Sequence, residues 1–246
     1  MAEINSPTFA RPRMRHHETF SNNAWRTRSL PTFLEAARLQ QSFLAVPEKK
    51  LLIRLAAKIP AWVKPDHLTV LGFFAQCAAG GCYVLAKQRP AALVIGVACL
   101  ALNWFGDSLD GTLARVRNQQ RPRYGFYIDH ISDSIAALCM TAGLALSGYI
   151  NPGIGVGMLT GFLLLSIEAY LTTYTLGKFE LSYWKFGPTE IRILLAVGNL
   201  ALLKYSMVEI AGMRLRLFDI GGVIAICGMA LMLVNSIIRG HRLAAH

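Results

Sequence analysis

Apolar residues run along the chain in long blocks separated by short polar or charged stretches. Leu68 to Ala86 holds nineteen consecutive uncharged positions, enough for a helix to cross the hydrocarbon core of a bilayer. Similar blocks cover Ala91–Gly106, Phe126–Ser147, Ile154–Leu176 and Ile220–Ile238. One more, about 188 to 204, is shorter: eleven uncharged residues separate Arg192 from Lys204, so Arg192 has to snorkel or face a site. The pattern predicts an all-α integral membrane protein with six transmembrane helices in the stretch 63–246.

The segment before the spans reads differently. Residues 1–30 are rich in Arg, Asn, Ser, Thr and Pro without an apolar period, and residues 31–46, PTFLEAARLQQSFLAV, fit a short amphipathic helix. Together 1–46 read as a basic, largely disordered arm, with no apolar core of a cleavable signal peptide. Residues 47–62 are patterned. After Pro47, Leu51, Leu52, Leu55 and Ile59 mark one face, while Lys50, Arg54 and Lys58 repeat on the other. A short helix of this kind lies in the interface plane with its cations among lipid phosphates.

Composition sharpens the class. The chain is 54% hydrophobic, with a mean hydropathy of +0.40. Its 25 Lys and Arg against 14 Asp and Glu give a net charge of +11. In a membrane protein that excess points to anionic lipid and anionic substrate as partners, and no recognition-helix, zinc or RNA-binding signature points to nucleic acid. Six spans with a cytoplasmic N-terminus put nineteen Lys and Arg on the cytoplasmic side and five on the other. The expected location is the cell inner membrane, with both termini cytoplasmic. Five cysteines, all inside apolar runs and none in a C-x-x-C, read as small hydrophobes.

The chemistry is concentrated in residues 103–134, at the boundary between the second and third spans. Asp107 with Asp110 and Asp129 with Asp133 have spacings of three and four, so each pair shares a helix face. Gly111 and Ala114 continue the first stripe and Gly125 opens the second, leaving room for something to lie against each helix. Four converging carboxylates need neutralising, and oxygen-only ligands favour Mg²⁺, Mn²⁺ or Ca²⁺ over zinc. Solvated helix ends are the plain alternative, but ionisable residues at the edge of hydrocarbon are functional-site candidates by default.

The same run resembles the signature of the CDP-alcohol phosphotransferase family, D-x2-D-G-x2-A-R, a spacer, then G-x3-D-x3-D. Asp107, Asp110, Gly111, Ala114, Arg115, Gly125, Asp129 and Asp133 supply every signature residue. The spacer from Val116 to Tyr124 is nine residues, one more than the usual form, and reads as a loop. The entrance to the first span, KPDHLT, is similar to the family's Pro-Asn-x-x-Thr, with Asp66 in place of Asn. The resemblance implies a membrane enzyme that transfers a substituted phosphate from a CDP-alcohol donor to an alcohol acceptor and releases CMP. It implies two Mg²⁺ or Mn²⁺ ions on Asp107, Asp110, Asp129 and Asp133, with Asp133 as general base. It places Gly111, Ala114, Arg115, Gly125 and Thr69 around the CDP moiety, and it implies a homodimer. Thr69 and Asp66 equally suit helix capping. CDP-diacylglycerol is the expected donor and a small polar alcohol, phosphorylated or not, the acceptor. A CDP-choline or CDP-ethanolamine:diacylglycerol transferase is the alternative within the family, and a cation transporter or inactive scaffold the alternative outside it. No internal repeat of the kind many transporters carry is visible.

Other residues carry open choices. In GPTEIR, Gly187 to Arg192, Arg192 either holds a phosphate on the acceptor in bidentate fashion or pairs with Glu190 or Glu168. Glu168, Tyr170, Thr172, Thr173, Tyr174 and Thr175 either line an acceptor pocket or bond neighbouring helices. His130 reads as a neighbour of the metal site, and Asn103 as a hydrogen-bond partner of Asp107 or the ligand.

Overall fold

Each apolar block becomes a helix in the computed structural model, which describes residues 37–39, 44–176, 178–180, 187–210 and 212–244. They lie within one unit, Leu34–His246. Helix α1 (Ala45–Lys58) is followed by α2 (Pro65–Ala86), α3 (Ala92–Val116), α4 (Pro122–Ser147), α5 (Pro152–Leu176), α6 (Pro188–Leu202) and α7 (Leu217–Ala244). Five of these, α2, α3, α4, α5 and α7, are long and apolar enough to cross a membrane. Helix α6 has only 15 residues, or roughly 22 Å at the α-helical rise. The protein is thus mostly helical and multi-pass.

Several boundaries differ from the sequence reading, each for a local reason. Helix α3 does not end at Asp107 but continues to Val116, and α4 already starts at Pro122, where a first-turn proline costs no hydrogen bond. The nine-residue spacer therefore contracts to a turn over 117–121, with Asn118 in the left-handed region at φ 54°. Within the stretch expected to be a short helix, Ala37–Leu39 is instead a strand, β1, paired in parallel with β2 (Lys178–Glu180). Of the 1–46 arm, residues 1–36 and 40–43 lie outside the described residues, and Ala45 and Val46 already belong to α1. Helix α1 buries Leu52 and Ala56 and exposes Lys50, Arg54 and Lys58, but Leu51, expected on the apolar face, is exposed. The link from α6 to α7, which carries no apolar run, forms a hairpin of β3 (Met207–Ile210) and β4 (Met213–Arg216).

Helix α2 is the axis of the bundle, packed against both α3 and α4. The approach is backbone to backbone. A Cβ on Gly106 would lie 2.5 Å from the Leu68 carbonyl oxygen and 2.6 Å from the Gly72 nitrogen. About two turns further along α2 from Gly72, a Cβ on Gly143 would overlap the Gly80 carbonyl, and one on Gly80 the Cys139 carbonyl. Small residues that let backbones touch are the usual means of helix association in lipid, where burial of apolar surface gives little drive.

Two buried clusters mark the two ends of the bundle. Leu52, Ala56, Leu68, Leu109 and Leu113 join α1 to α2 and α3 at the end carrying the aspartates. Tyr83, Ala86, Ala92, Leu93, Leu144, Ile150 and Leu202 close the opposite end. Leu202 belongs to that far cluster, while Arg192 on the same helix reaches Asp107. Helix α6 therefore runs from one end of the bundle to the other alongside α3, and its Asn199 accepts a 2.8 Å hydrogen bond from the Tyr83 hydroxyl. The cysteines are free and sit in helices as read, although Cys227 is exposed.

Gly106→Ala should lower stability by about 1–3 kcal/mol, since the added methyl meets fixed backbone. Gly81→Ala, whose Cβ meets nothing within 4 Å, should stay within about 0.5 kcal/mol of the parent. Thermal unfolding in detergent checks the pair. Equal melting temperatures would show that the α2–α3 approach is not tight.

Candidate active site

The continuation of α3 past the apolar block and the early start of α4 put all four aspartates on helices. Each keeps the direction set by helical geometry, instead of hanging from a loop. Oxygens of Asp107, Asp129 and Asp133 all lie within 4.8 Å of one another, and all three residues are half-buried. Two oxygens on opposite sides of one Mg²⁺ or Ca²⁺ are about 4–5 Å apart, so this spacing fits a single divalent cation. Hard carboxylate oxygens are also the donor type that such ions prefer.

Asp110 stands apart from that triad. One of its oxygens accepts a 2.6 Å hydrogen bond from Thr69 Oγ1, and the other accepts from the Gly111 backbone N–H. Thr69 is not a cap: Lys64 is the N-cap of α2, its N–H donating to His67 Nδ1, and Asp66 lies inside the first turn. Thr69 instead fixes the Asp110 carboxylate. The small-residue stripes are open as read. A Cβ on Gly125 would meet nothing within 4 Å, and one on Gly111 only the Arg115 guanidinium, 3.5 Å away. Ala114 is half-buried and Arg115 exposed, with Arg115 Nη2 donating to Thr112 Oγ1 at 3.1 Å.

Arg192 has neither of its expected protein partners. Its Nη2 lies 2.5 Å from Asp107 Oδ2, and its Nε donates to Asn103 Oδ1 at 2.7 Å. Glu190 is engaged elsewhere, accepting from the Gly187 and Leu44 backbone N–H groups, and Glu168 accepts from Thr172 on its own helix. Asn103 is buried and does not bond Asp107. Its Nδ2 donates to the Gly72 carbonyl and Gln76 Oε1, which leaves its oxygen aimed at Arg192. Thr173 and Thr175 donate to backbone carbonyls of α5 itself, so these bonds are not links between helices.

The rim of the site has its own restraints. Arg121 pairs with Asp66, tying the start of α4 to the start of α2, and its guanidinium stacks 4.2 Å from the Tyr124 ring centroid. The hydrogen bond to Asp66 raises the Arg121 pKa further still. A surface hollow of about 470 Å³ beside this pair is lined by Lys64, Asp66, Gln119 and Arg121 among others, and none of the four aspartates reaches it. His130 neighbours the carboxylate cluster without belonging to it, its Nδ1 lying 3.8 Å from Asp129 Oδ2. Its Nδ1 is 2.7 Å from the Phe126 carbonyl oxygen, and its ring stacks on Phe126 and meets the edge of Tyr170.

Sequence reasoning missed Glu48, Gln76 and Thr189. Glu48 is buried on α1 and accepts from Trp104 Nε1, Ser108 Oγ and Thr189 Oγ1. The signal was available, because Glu48, Leu52 and Ala56 repeat every four residues and so share the inward face. Gln76 carried no such sign.

Comparison with known proteins agrees with this geometry. Cholinephosphotransferase 1 of Gallus gallus is 25% identical over 194 residues, covering 74% of this chain and 57% of the relative. Archaetidylinositol phosphate synthase of Methanothermobacter thermautotrophicus is 36% identical over 103 residues, 41% of this chain and 45% of the relative. The synthase of the same name from Pyrococcus horikoshii is 28% identical over 120 residues, 49% and 57% of the two chains. The matched stretches thus span about half the length of these curated relatives. The family model described as CDP-alcohol phosphatidyltransferase matches residues 62–234, from the approach to α2 into α7. With most of its length matched and every signature aspartate in place, the chain belongs to the CDP-alcohol phosphatidyltransferase family.

Proposed function

We propose that the protein is a membrane-bound enzyme of phospholipid synthesis that transfers a substituted phosphate from a CDP-alcohol to an alcohol hydroxyl, releasing CMP. The observation that carries this reading is the convergence of Asp107, Asp129 and Asp133 oxygens within 4.8 Å, beside helix faces left open at Gly111 and Gly125. Asp107, Asp129 and Asp133 would hold one Mg²⁺ or Mn²⁺, and Asp110 on the same face as Asp107 would contribute to holding a second. Bound there, such ions would supply charge neutralisation of the diphosphate and polarisation of the phosphorus under attack. The acceptor oxygen bonds to the phosphorus that carries the donor alcohol, the bond to the CMP oxygen breaks, and the hydroxyl proton passes to Asp133. Gly111, Ala114 and Gly125 give the nucleotide room, with Thr69 and Arg115 beside it. Arg192, oriented by Asn103, receives a phosphate on the acceptor.

The donor in this reading is CDP-diacylglycerol and the acceptor a small polar alcohol. A phosphorylated acceptor draws support from the two relatives named as synthases of archaetidylinositol phosphate. The second reading, a CDP-choline:diacylglycerol type of transferase, is favoured by the relative matched over most of this chain, which is named a cholinephosphotransferase. The enzyme works as a homodimer in the cell inner membrane. Because α6 links the two ends of the bundle, it counts as a sixth crossing despite its length, and both termini and the aspartates face the cytoplasm.

Asp107→Asn, Asp129→Asn or Asp133→Asn should abolish CMP release while the protein stays folded in detergent. Chelation should do the same, with Mg²⁺ or Mn²⁺ restoring activity. Near-normal turnover in two of the variants would remove the metal-site reading. Supplying CDP-diacylglycerol or CDP-choline separates the two donor readings, and CMP release from neither points to a transporter or scaffold.

Arg192→Lys should raise KM for inositol phosphate by about tenfold, the worth of a lost fork-type contact, and leave KM for the donor unchanged. Unchanged kinetics with a lowered melting temperature would make Arg192 a purely structural partner of Asp107. Cysteine labelling from each side should place residues 49–58, the 117–121 turn and Arg239 together. Labelling of Arg239→Cys from the opposite side would mean that α6 does not cross.

A further inference from the structure

Helix α1 does more than lie beside the bundle, because it is fastened to it at both ends. At its C-terminal end, the Arg117 guanidinium donates to the carbonyls of Val63, Ile59 and Pro60 at 2.5, 2.8 and 3.0 Å. At its N-terminal end, the Leu44 N–H donates to Glu190 Oε1 at 3.1 Å, joining α1 to the first turn of α6. Between them is Glu48, 9% exposed. Its Oε1 takes three hydrogen bonds: from Trp104 Nε1 at 2.7 Å and Ser108 Oγ at 3.2 Å, both on α3, and from Thr189 Oγ1 at 2.8 Å on α6. Its Oε2 is buried without a hydrogen-bond partner among the described residues. A buried carboxyl is a costly way to hold helices together, since apolar contacts would serve stability as well.

What Glu48 joins explains its placement. Ser108 adjoins Asp107 on α3. Thr189 precedes Arg192 by three residues on α6, so the two share a helix face. One side chain on that face reaches Glu48, and the other reaches Asp107 and Asn103. We infer that Glu48 is a positioning residue: it registers the first turn of α6 against α3 and so sets the Arg192 guanidinium on Asp107. Through this latch α1 tunes how much positive charge opposes a cation arriving at the aspartates.

The test uses the full chain in detergent, with Glu48→Ala, Glu48→Gln, Thr189→Val, Arg192→Ala and the Glu48→Ala/Arg192→Ala double variant. Two readouts are followed, amide hydrogen exchange and Mn²⁺ affinity by titration. Glu48→Ala and Thr189→Val should speed exchange over residues 191–196 by about fivefold, the worth of one hydrogen bond, with α4 unchanged. Glu48→Gln keeps an acceptor oxygen and should track the parent. Mn²⁺ should bind at least about threefold more tightly to Glu48→Ala, Thr189→Val and Arg192→Ala, because a cation has been loosened or removed beside the site. The double variant should gain nothing beyond Arg192→Ala, as expected if both changes act through one guanidinium. Unchanged exchange in Glu48→Ala and Thr189→Val would overturn the latch. Faster exchange with parental Mn²⁺ affinity would overturn its action through Arg192, and so would full additivity in the double variant. The Mn²⁺ arm rests on the proposed cation site. A parent that binds no Mn²⁺ removes that reading, while the exchange arm still decides the latch.

Discussion

Backbone meets backbone where α2 passes Gly106 of α3 and Gly143 of α4, and the site is a consequence of those contacts. Asp107 follows Gly106 directly, so the closeness of α2 and α3 fixes its depth and direction. The Gly80–Gly143 approach holds α4 against α2 as well, and with it Asp129 and Asp133. A bilayer offers little hydrophobic drive for helices to associate. Close steric fit between small residues supplies it here, and the carboxylates are brought together by helices that cannot easily move apart.

That closeness creates an electrostatic problem, and the structure contains a solution built from its own side chains. Arg192 reaches Asp107, Asn103 holds Arg192 from the side, and Asn103 is itself held by Gly72 and Gln76. Asp110 is occupied by Thr69 and a backbone N–H. The first carboxylate pair therefore has partners contributed by two other helices, α6 for Asp107 and α2 for Asp110. These partners are also groups that a diphosphate and divalent ions can displace, since a bound cation competes directly for the same oxygens.

The parts legible in the sequence were those carried by period and spacing. Asp107, Asp129 and Asp133 were identified from their three- and four-residue spacings and from the signature they complete. The helices were visible because lipid demands long uninterrupted apolar runs. Helix ends were less visible: α3 extends past Asp107 because a polar sequence can continue a helix once it is outside hydrocarbon. The protein partner of Arg192 was not Glu190, two residues away, nor Glu168 of the preceding span, because Asp107 comes near only after α3 and α6 pack. Glu48 shared the inward face of α1, but an acidic residue among lysines reads as solvated until the donors Trp104, Ser108 and Thr189 are known. The pairing of β1 with β2 joins segments far apart in the chain, and no local pattern signals that register.

On the proposed function, packing at the glycines assembles a divalent-cation site from Asp107, Asp129 and Asp133. Anomalous diffraction at the manganese edge, from crystals of the full chain grown with Mn²⁺, addresses it most directly. The expected result is a manganese peak ligated by oxygens of all three residues at about 2.0–2.2 Å, as for a hard octahedral cation, with Arg192 withdrawn from that Asp107 oxygen. Density showing Arg192 still seated on Asp107 at saturating Mn²⁺, with no peak among the three carboxylates, would contradict it.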